Sequence, residues 1–157
     1  MRISAKVDYA VKAMAQLAAD ETGLPVKADL ISRSQTIPLK FLLGILNELK
    51  RARLVRSHRG LEGGYELALP ADQITIADVI RAIDGPLATV RDTSFKDLVY
   101  EGPAEGMLVI WMAVRASLRS VLEHVTLADL ASGNLPPDIK ELAANYGADE
   151  RFALKYQ

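Results

Sequence analysis

The run Leu54-Val55-Arg56-Ser57-His58-Arg59-Gly60-Leu61-Glu62-Gly63-Gly64-Tyr65-Glu66-Leu67 constrains this chain more than any other, because it reads as two short strands around a basic, glycine-rich tip. Leu54 and Val55, then Tyr65 and Leu67, supply the β-favouring apolar positions, and the glycines permit a tight turn with close backbone approach. A hairpin of this kind is a wing, with Arg56, Ser57, His58, Arg59 and Gly60 placed to meet a phosphate backbone or a narrow minor groove. An ordinary surface hairpin remains the alternative on these residues alone.

Two short helical patterns lie just upstream, over 28–34 and 38–51, joined by Gln35-Thr36-Ile37. The first offers Leu30 and Ile31 as its apolar face. The second repeats Leu39, Leu42, Ile45, Leu46 and Leu49 at intervals of three and four. Pro38 suits the first turn of that helix, where its missing N–H costs nothing. Helix, turn, helix and wing therefore follow in order, the arrangement of a winged helix-turn-helix. If the apolar stripe faces the core, Pro38, Lys40, Leu43, Gly44 and Asn47 lie where a major groove would be read. For Leu43 two readings stand: contact with thymine methyl groups, or a wide apolar stripe.

Charge separates the chain into halves that the net value of −1 conceals. Through Gly64 there are eleven basic and six acidic residues, a surplus of five; the chain totals of 19 and 20 leave eight and fourteen beyond it, a deficit of six. From Lys50 to Arg59 there are five basic residues and no acid. That stripe, with Arg2, Ser4 and Lys27 nearby, makes the first half the candidate for double-stranded DNA. The chain has no cysteine, which removes disulfides, thiolate nucleophiles and cysteine-ligated clusters. No apolar run approaches membrane-spanning length and the N-terminus lacks an apolar signal core, so a cytoplasmic protein is expected.

The remaining pattern predicts a mainly α fold with a small β-hairpin wing. Val7, Ala10, Val11, Met14, Leu17 and Ala18 give an N-terminal helix over 3–19, capped by Ser4 and ended by Gly23 and Pro25, with Val26 extended. Thr75 starts a short helix through Ile76, Val79, Ile80 and Ile83 that stops at Asp84-Gly85-Pro86. Residues 1–86 form the DNA-binding unit and 87–103 an irregular loop of regulatory type. A long helix over 104–124 carries Met107, Trp111, Val114, Leu118, Val121 and Val125 on one seam, widened by Leu108, Ile110, Met112 and Leu122. It needs covering on more than one side, so it reads as a homodimerisation helix, with intrachain burial as the alternative. Residues 126–131 form a short capped helix, and 132–157 a weakly helical, peripheral tail.

These pieces resemble the IscR, NsrR and CymR family of bacterial winged-helix regulators, the Rrf-two type. The resemblance rests on Met1-Arg2-Ile3-Ser4-Ala5-Lys6 with Tyr9-Ala10-Val11 and Ala13-Met14, the reading helix through Leu54-Val55, Arg59-Gly60 with Gly63-Gly64-Tyr65, Ile76-Ala77-Asp78-Val79-Ile80 with Ile83-Asp84-Gly85-Pro86, and Thr126-Leu127-Ala128-Asp129-Leu130. It covers roughly residues 1–131. It implies a homodimer on a pseudo-palindromic operator, with Arg59 in the minor groove and the Pro38 helix in the major groove, and in all a homodimeric repressor.

The chain departs from that pattern where many members carry three cysteines that hold an iron–sulfur cluster. Asp92 falls about where the first would be, Leu108 near a position some members give to a histidine ligand, and Asp8 and Lys12 at positions from which a few relatives reach the cluster. None replaces a thiolate, so no metal or cofactor is expected, and the resemblance to cluster-free members implies a small-molecule effector or a partner enzyme as the signal. Two readings compete with a regulator: a winged-helix protein-interaction module, and an enzyme. The second finds no support, because Gly60–Gly64 joins two strands rather than opening a helix and no histidine–carboxylate pairing recurs.

Overall fold

The computed structural model describes residues 2–91 and 93–147. Seven helices and one hairpin run in the order α1 (Ala5–Ala19), α2 (Ala28–Gln35), α3 (Leu39–Arg51), β1 (Val55–His58), β2 (Gly64–Leu67), α4 (Ile76–Asp84), α5 (Met107–Leu122), α6 (Leu127–Ser132) and α7 (Pro137–Gly147) among those residues. The fold is mainly helical with a two-stranded wing, as the periodicity predicts.

Each boundary has a local cause. The Ser4 hydroxyl accepts from the Val7 N–H and caps α1. Thr75 and Thr126 open α4 and α6 with the same reciprocal box, in which Asp78 and Asp129 reach back to the threonine backbone. The Thr126 backbone N–H holds the Asp129 carboxyl below its ordinary range, with the Thr126 hydroxyl adding to the effect. Pro38 sits one position earlier than the sequence suggests, as the extended residue before α3 (φ −56°, ψ 125°). Thr36 ends α2 in the left-handed region at φ 53° and turns the chain into α3.

One core joins α1, α2, α3, α4, β1 and α6. Met14 of α1, Ile31 of α2, Leu42, Ile45, Leu46 and Leu49 of α3, Val55 of β1, Ile74, Val79 of α4 and Leu127 of α6 are buried together. No polar or charged residue is buried among those described. Burial of such a set, at roughly 1.5–3 kcal/mol per large side chain, is what fixes α3 against the rest. Two residues assigned to the core by periodicity are not in it: Leu30 on α2 and Leu39 on α3 are exposed. Both lie in the first turns of their helices, where the end of the element leaves one side uncovered. Ala13 takes a place in the core that Val11 and Ala18 only border.

The short helix α6 rejoins this core instead of continuing away with α5. Thr126 pairs with Thr75 as a β-bridge, the Leu127 N–H donates to the Ile74 carbonyl at 2.9 Å, and the Ile76 N–H donates to the Val125 carbonyl at 3.0 Å. Between α4 and α5 the chain is irregular, with single 3-10 turns at Phe95–Asp97 and Gly102–Ala104. Asp92 and the end of the tail, from residue 148, lie outside the described residues. The long helix is shorter than 104–124, because Gly102–Ala104 closes its own turn before α5 begins.

Candidate nucleic-acid interface

The buried row of α3 fixes what its other faces present. With 100° per residue, Leu42, Ile45, Leu46 and Leu49 point inward, so Lys40, Gly44, Asn47 and Arg51 stand opposite them in one outward row. All four are exposed. Beside that row, on one flank, run Leu39, Leu43 and Lys50; on the other lie Phe41 and Glu48. Lys50 Nζ donates to the Ser57 hydroxyl at 3.4 Å, which places the Leu43 flank toward the wing. Lys6 Nζ meets Glu48 Oε1 at 2.7 Å, which ties the other flank to α1.

The wing forms where the sequence places it, in a register that sets Val55 opposite Leu67, Arg56 opposite Glu66, Ser57 opposite Tyr65 and His58 opposite Gly64. Val26 adds a third extended piece: it exchanges two backbone hydrogen bonds with Tyr65, both at 2.8 Å. This contact explains Gly64, and the tight turn of the wing itself explains Gly63. A Cβ on Gly64 would lie 2.6 Å from the Val26 carbonyl oxygen, and one on Gly63 would lie 2.3 Å from that of His58. Only glycine admits approaches this close. Arg59 and Gly60 stand at the exposed tip.

Because Val26 holds the wing, the start of α2 is brought beside the tip. A shallow concavity there is lined by Lys27 and Ala28 on one side and by Ser57, His58, Arg59 and Gly60 on the other. Lys27 occupies the N-cap position without a capping side-chain bond, so the first N–H groups of α2 face outward next to basic side chains. This is the chemistry that takes a backbone phosphate.

Of the residues singled out in the sequence, Arg2, Lys27, Pro38, Lys40, Leu43, Gly44, Asn47, Arg56, Ser57, Arg59 and Gly60 are exposed, while Ser4 is half-buried. The Ser4 hydroxyl is already engaged, accepting from Val7 and donating to Asp84 Oδ2 at 2.9 Å. Arg56 donates to the Ala68 carbonyl at 3.2 Å, and His58 pairs with Glu66 at 2.8 Å. No ion pair to Lys27, Lys40, Lys50, Arg51, Arg53 or Arg59 occurs among the described residues. Sequence reasoning missed Phe41, which is 65% exposed on the flank opposite Leu43 at 44% and Leu39 at 40%. Periodicity gave no signal for it, since Phe41 lies only about 40° around the helix from buried Ile45.

The faces of α5 differ from the sequence expectation. Met107, Trp111, Leu118, Val121 and Leu122 are half-buried against their own chain, where α5 meets α4 and the 3-10 turn at Phe95. Trp111 Nε1 donates to the Tyr100 hydroxyl at 3.0 Å, and Leu122 packs beside Val7, Ala77 and Ile80. Val114 alone of the predicted seam is exposed, at 43%, and the uncovered apolar residues are Val109 at 69%, Ile110 at 53% and Met112 at 56%. The first half of α5, residues 107–114, is apolar all round and so gives no periodic clue to which side its own chain covers. At its end, Arg81 of α4 and Arg119 share Glu123, and the bond from Arg81, then that from Arg119, lowers the Glu123 carboxyl pKa.

Comparison with known proteins gives this surface its context. The Rrf2 family, described as an iron-dependent transcriptional regulator, matches residues 3–133. The chain belongs to the Rrf2 family. It is 56% identical over 150 residues to a Mycobacterium tuberculosis (strain H37Rv) protein described as "Putative HTH-type transcriptional regulator Rv1287", covering 96% of this chain and 93% of that one. It is 35% identical over 132 residues to the HTH-type transcriptional regulator CymR of Bacillus subtilis, covering 84% and 91%. The solved structure of CymR, the global cysteine regulator of B. subtilis, superposes with a TM-score of 0.72 over 86% of this chain and 99% of that one, at 32% identity. This Rrf2 protein is therefore a transcriptional regulator with a DNA-binding winged helix, and not an enzyme. No helix among its described residues is long and apolar enough to cross a membrane.

The donor set does not fit the iron of the family's description. The chain has no cysteine, and no group of three or more histidine or carboxylate side chains is placed to hold a metal ion among the described residues. His58 and His124 lie apart and are paired with Glu66 and Asp138. Lys12 lies over the Tyr9 ring at 5.7 Å, and Asp8 is exposed on α1.

Proposed function

We propose that this Rrf2 regulator is a cytoplasmic homodimeric repressor that binds a pseudo-palindromic operator without an iron–sulfur cluster. The outward row of α3 enters the major groove, the Arg59 tip follows the adjacent minor groove, and Lys27 with the start of α2 takes a phosphate between them. The dimer is formed through α5. The observation that carries this is the uncovered apolar surface of α5, where Val109, Ile110, Met112 and Val114 are all more than 40% exposed and no residue of the 16 is buried. An apolar surface of that kind on a regulator marks an interaction site. A two-fold pairing through it would present two copies of α3 to one side of the duplex. Repression then follows from occupancy, since a dimer seated on a promoter excludes polymerase.

Absence of thiolates supports a cluster-free regulator whose signal is a small molecule or a partner enzyme. The test is selection of genomic fragments with the purified protein, followed by titration of the enriched duplex at several salt concentrations. An inverted repeat bound with steep salt dependence is expected. Failure to enrich any sequence, or enrichment of single half-sites bound by a monomer, would overturn the proposal. Iron-linked visible absorbance after anaerobic purification would refute its cluster-free part.

A further inference from the structure

Gly44 lies near the middle of α3, in the centre of the outward row between Lys40 and Asn47. Glycine is the poorest helix former after proline, and nothing inside the chain requires it here. Its backbone is not in the left-handed region, and a Cβ built on it would meet no atom within 4 Å. By contrast, Gly63 and Gly64 are demanded by their own chain. What a missing side chain provides at Gly44 is close approach by something outside the chain. The two flanks carry the second observation: Leu39 and Leu43 on one and Phe41 on the other expose apolar side chains beside Lys40, Lys50 and Arg51.

We propose that Gly44 lets α3 seat deeply in the major groove and that Leu43 packs on the C5-methyl group of a thymine in each half-site. This rests on the operator-binding reading above and names the chemistry that the helix reads. The thymine methyl is the apolar group of the major-groove edge, so an exposed leucine beside a bare stretch of helix backbone finds its complement there. Leu43, on the wing side of the row, makes that contact; Lys40 and Asn47 bracket Gly44 and reach polar edges or phosphates.

The experiment replaces each thymine of the selected operator, one at a time, with deoxyuridine, which removes the methyl group and leaves the base-pairing and hydrogen-bonding edges intact. Wild-type protein should lose about fourfold in affinity at one or two thymines per half-site, the factor equivalent to one buried methyl group. Leu43→Ala should bind more weakly overall and lose that sensitivity at the same positions. Gly44→Ala should raise Tm by about 2–4 °C while weakening operator binding at least tenfold. A flat deoxyuridine scan on a tightly bound operator, or Gly44→Ala that is stabilised and binds as well as wild type, would overturn this inference and leave the regulator reading standing. Absence of any sequence-specific duplex would instead refute both.

Discussion

Changing Ile110 to alanine or aspartate tests the dimer at its most quantifiable point. The side chain is 53% exposed in the isolated chain. Fully burying an isoleucine is worth about 1.5–3 kcal/mol, so covering the exposed half contributes roughly 0.8–1.5 kcal/mol per protomer. Two-fold symmetry doubles this, to about 1.5–3 kcal/mol for the pair, which corresponds to roughly a 10- to 150-fold weaker dimer for Ile110→Ala. Ile110→Asp adds the cost of two desolvated carboxylates facing the same interface and should leave the protein monomeric at micromolar concentration. Because the residue contributes to no intrachain core, the far-UV circular dichroism of both variants should match wild type. Sedimentation velocity over a concentration series reads the association constant directly. A wild-type-like dimer in Ile110→Asp would refute the assignment of this face of α5 to the interface.

Three further outcomes follow from the geometry. Gly64→Ala should destabilise the protein by about 1–3 kcal/mol in urea unfolding and weaken DNA binding, since the added methyl displaces Val26 and breaks its two bonds to Tyr65; unchanged stability would show that the wing tolerates the shift. Arg59→Ala should lower affinity for A·T-rich, narrow-groove operators more than for other duplexes, and equal affinity before and after the change would remove the tip from the minor groove. The depressed Glu123 pKa gives a pH signature: its pairing with Arg81 and Arg119 is fully present above the unfolded value of about 4.3 and is lost as pH falls through the lower folded value. Wild type should therefore lose more stability than Glu123→Gln between about pH 5 and 3, and parallel curves would show that the cluster contributes nothing.

Most of the architecture was readable because its causes are local. The periodicity of Leu42, Ile45, Leu46 and Leu49, the glycines of the wing and the threonine caps at Thr75 and Thr126 each act within a few residues and survive tertiary context. What failed depends on neighbours distant in sequence. Leu30 and Leu39 fit an apolar stripe but sit at helix ends that nothing covers, and the α5 seam through Trp111 and Leu118 turns inward because α4 and Phe95 lie on that side. For the candidate site, the exposed positions on α3 followed from knowing its core row. The placement of Lys27 beside the wing did not, since it depends on the pairing of Val26 with Tyr65 across 39 residues.

The return of α6 to the main core gives the proposed dimer a mechanical property. α5 is held at its far end by the Thr75–Thr126 bridge, by Leu127 and by Glu123, and along one side by Leu122 and by the hydrogen bond of Trp111 to Tyr100. It is thus joined to the body that carries α3 at its end and along one side. In the proposed dimer, two such bodies joined through α5 would hold their reading helices at a set separation, and the protein would act as a ruler as well as a reader. Adding a single base pair between half-sites would rotate one of them by about a tenth of a turn and lengthen the span by about 3.4 Å. The proposed dimer would have to absorb that change in its α5 contacts, so affinity should fall with altered spacing as it does with altered bases.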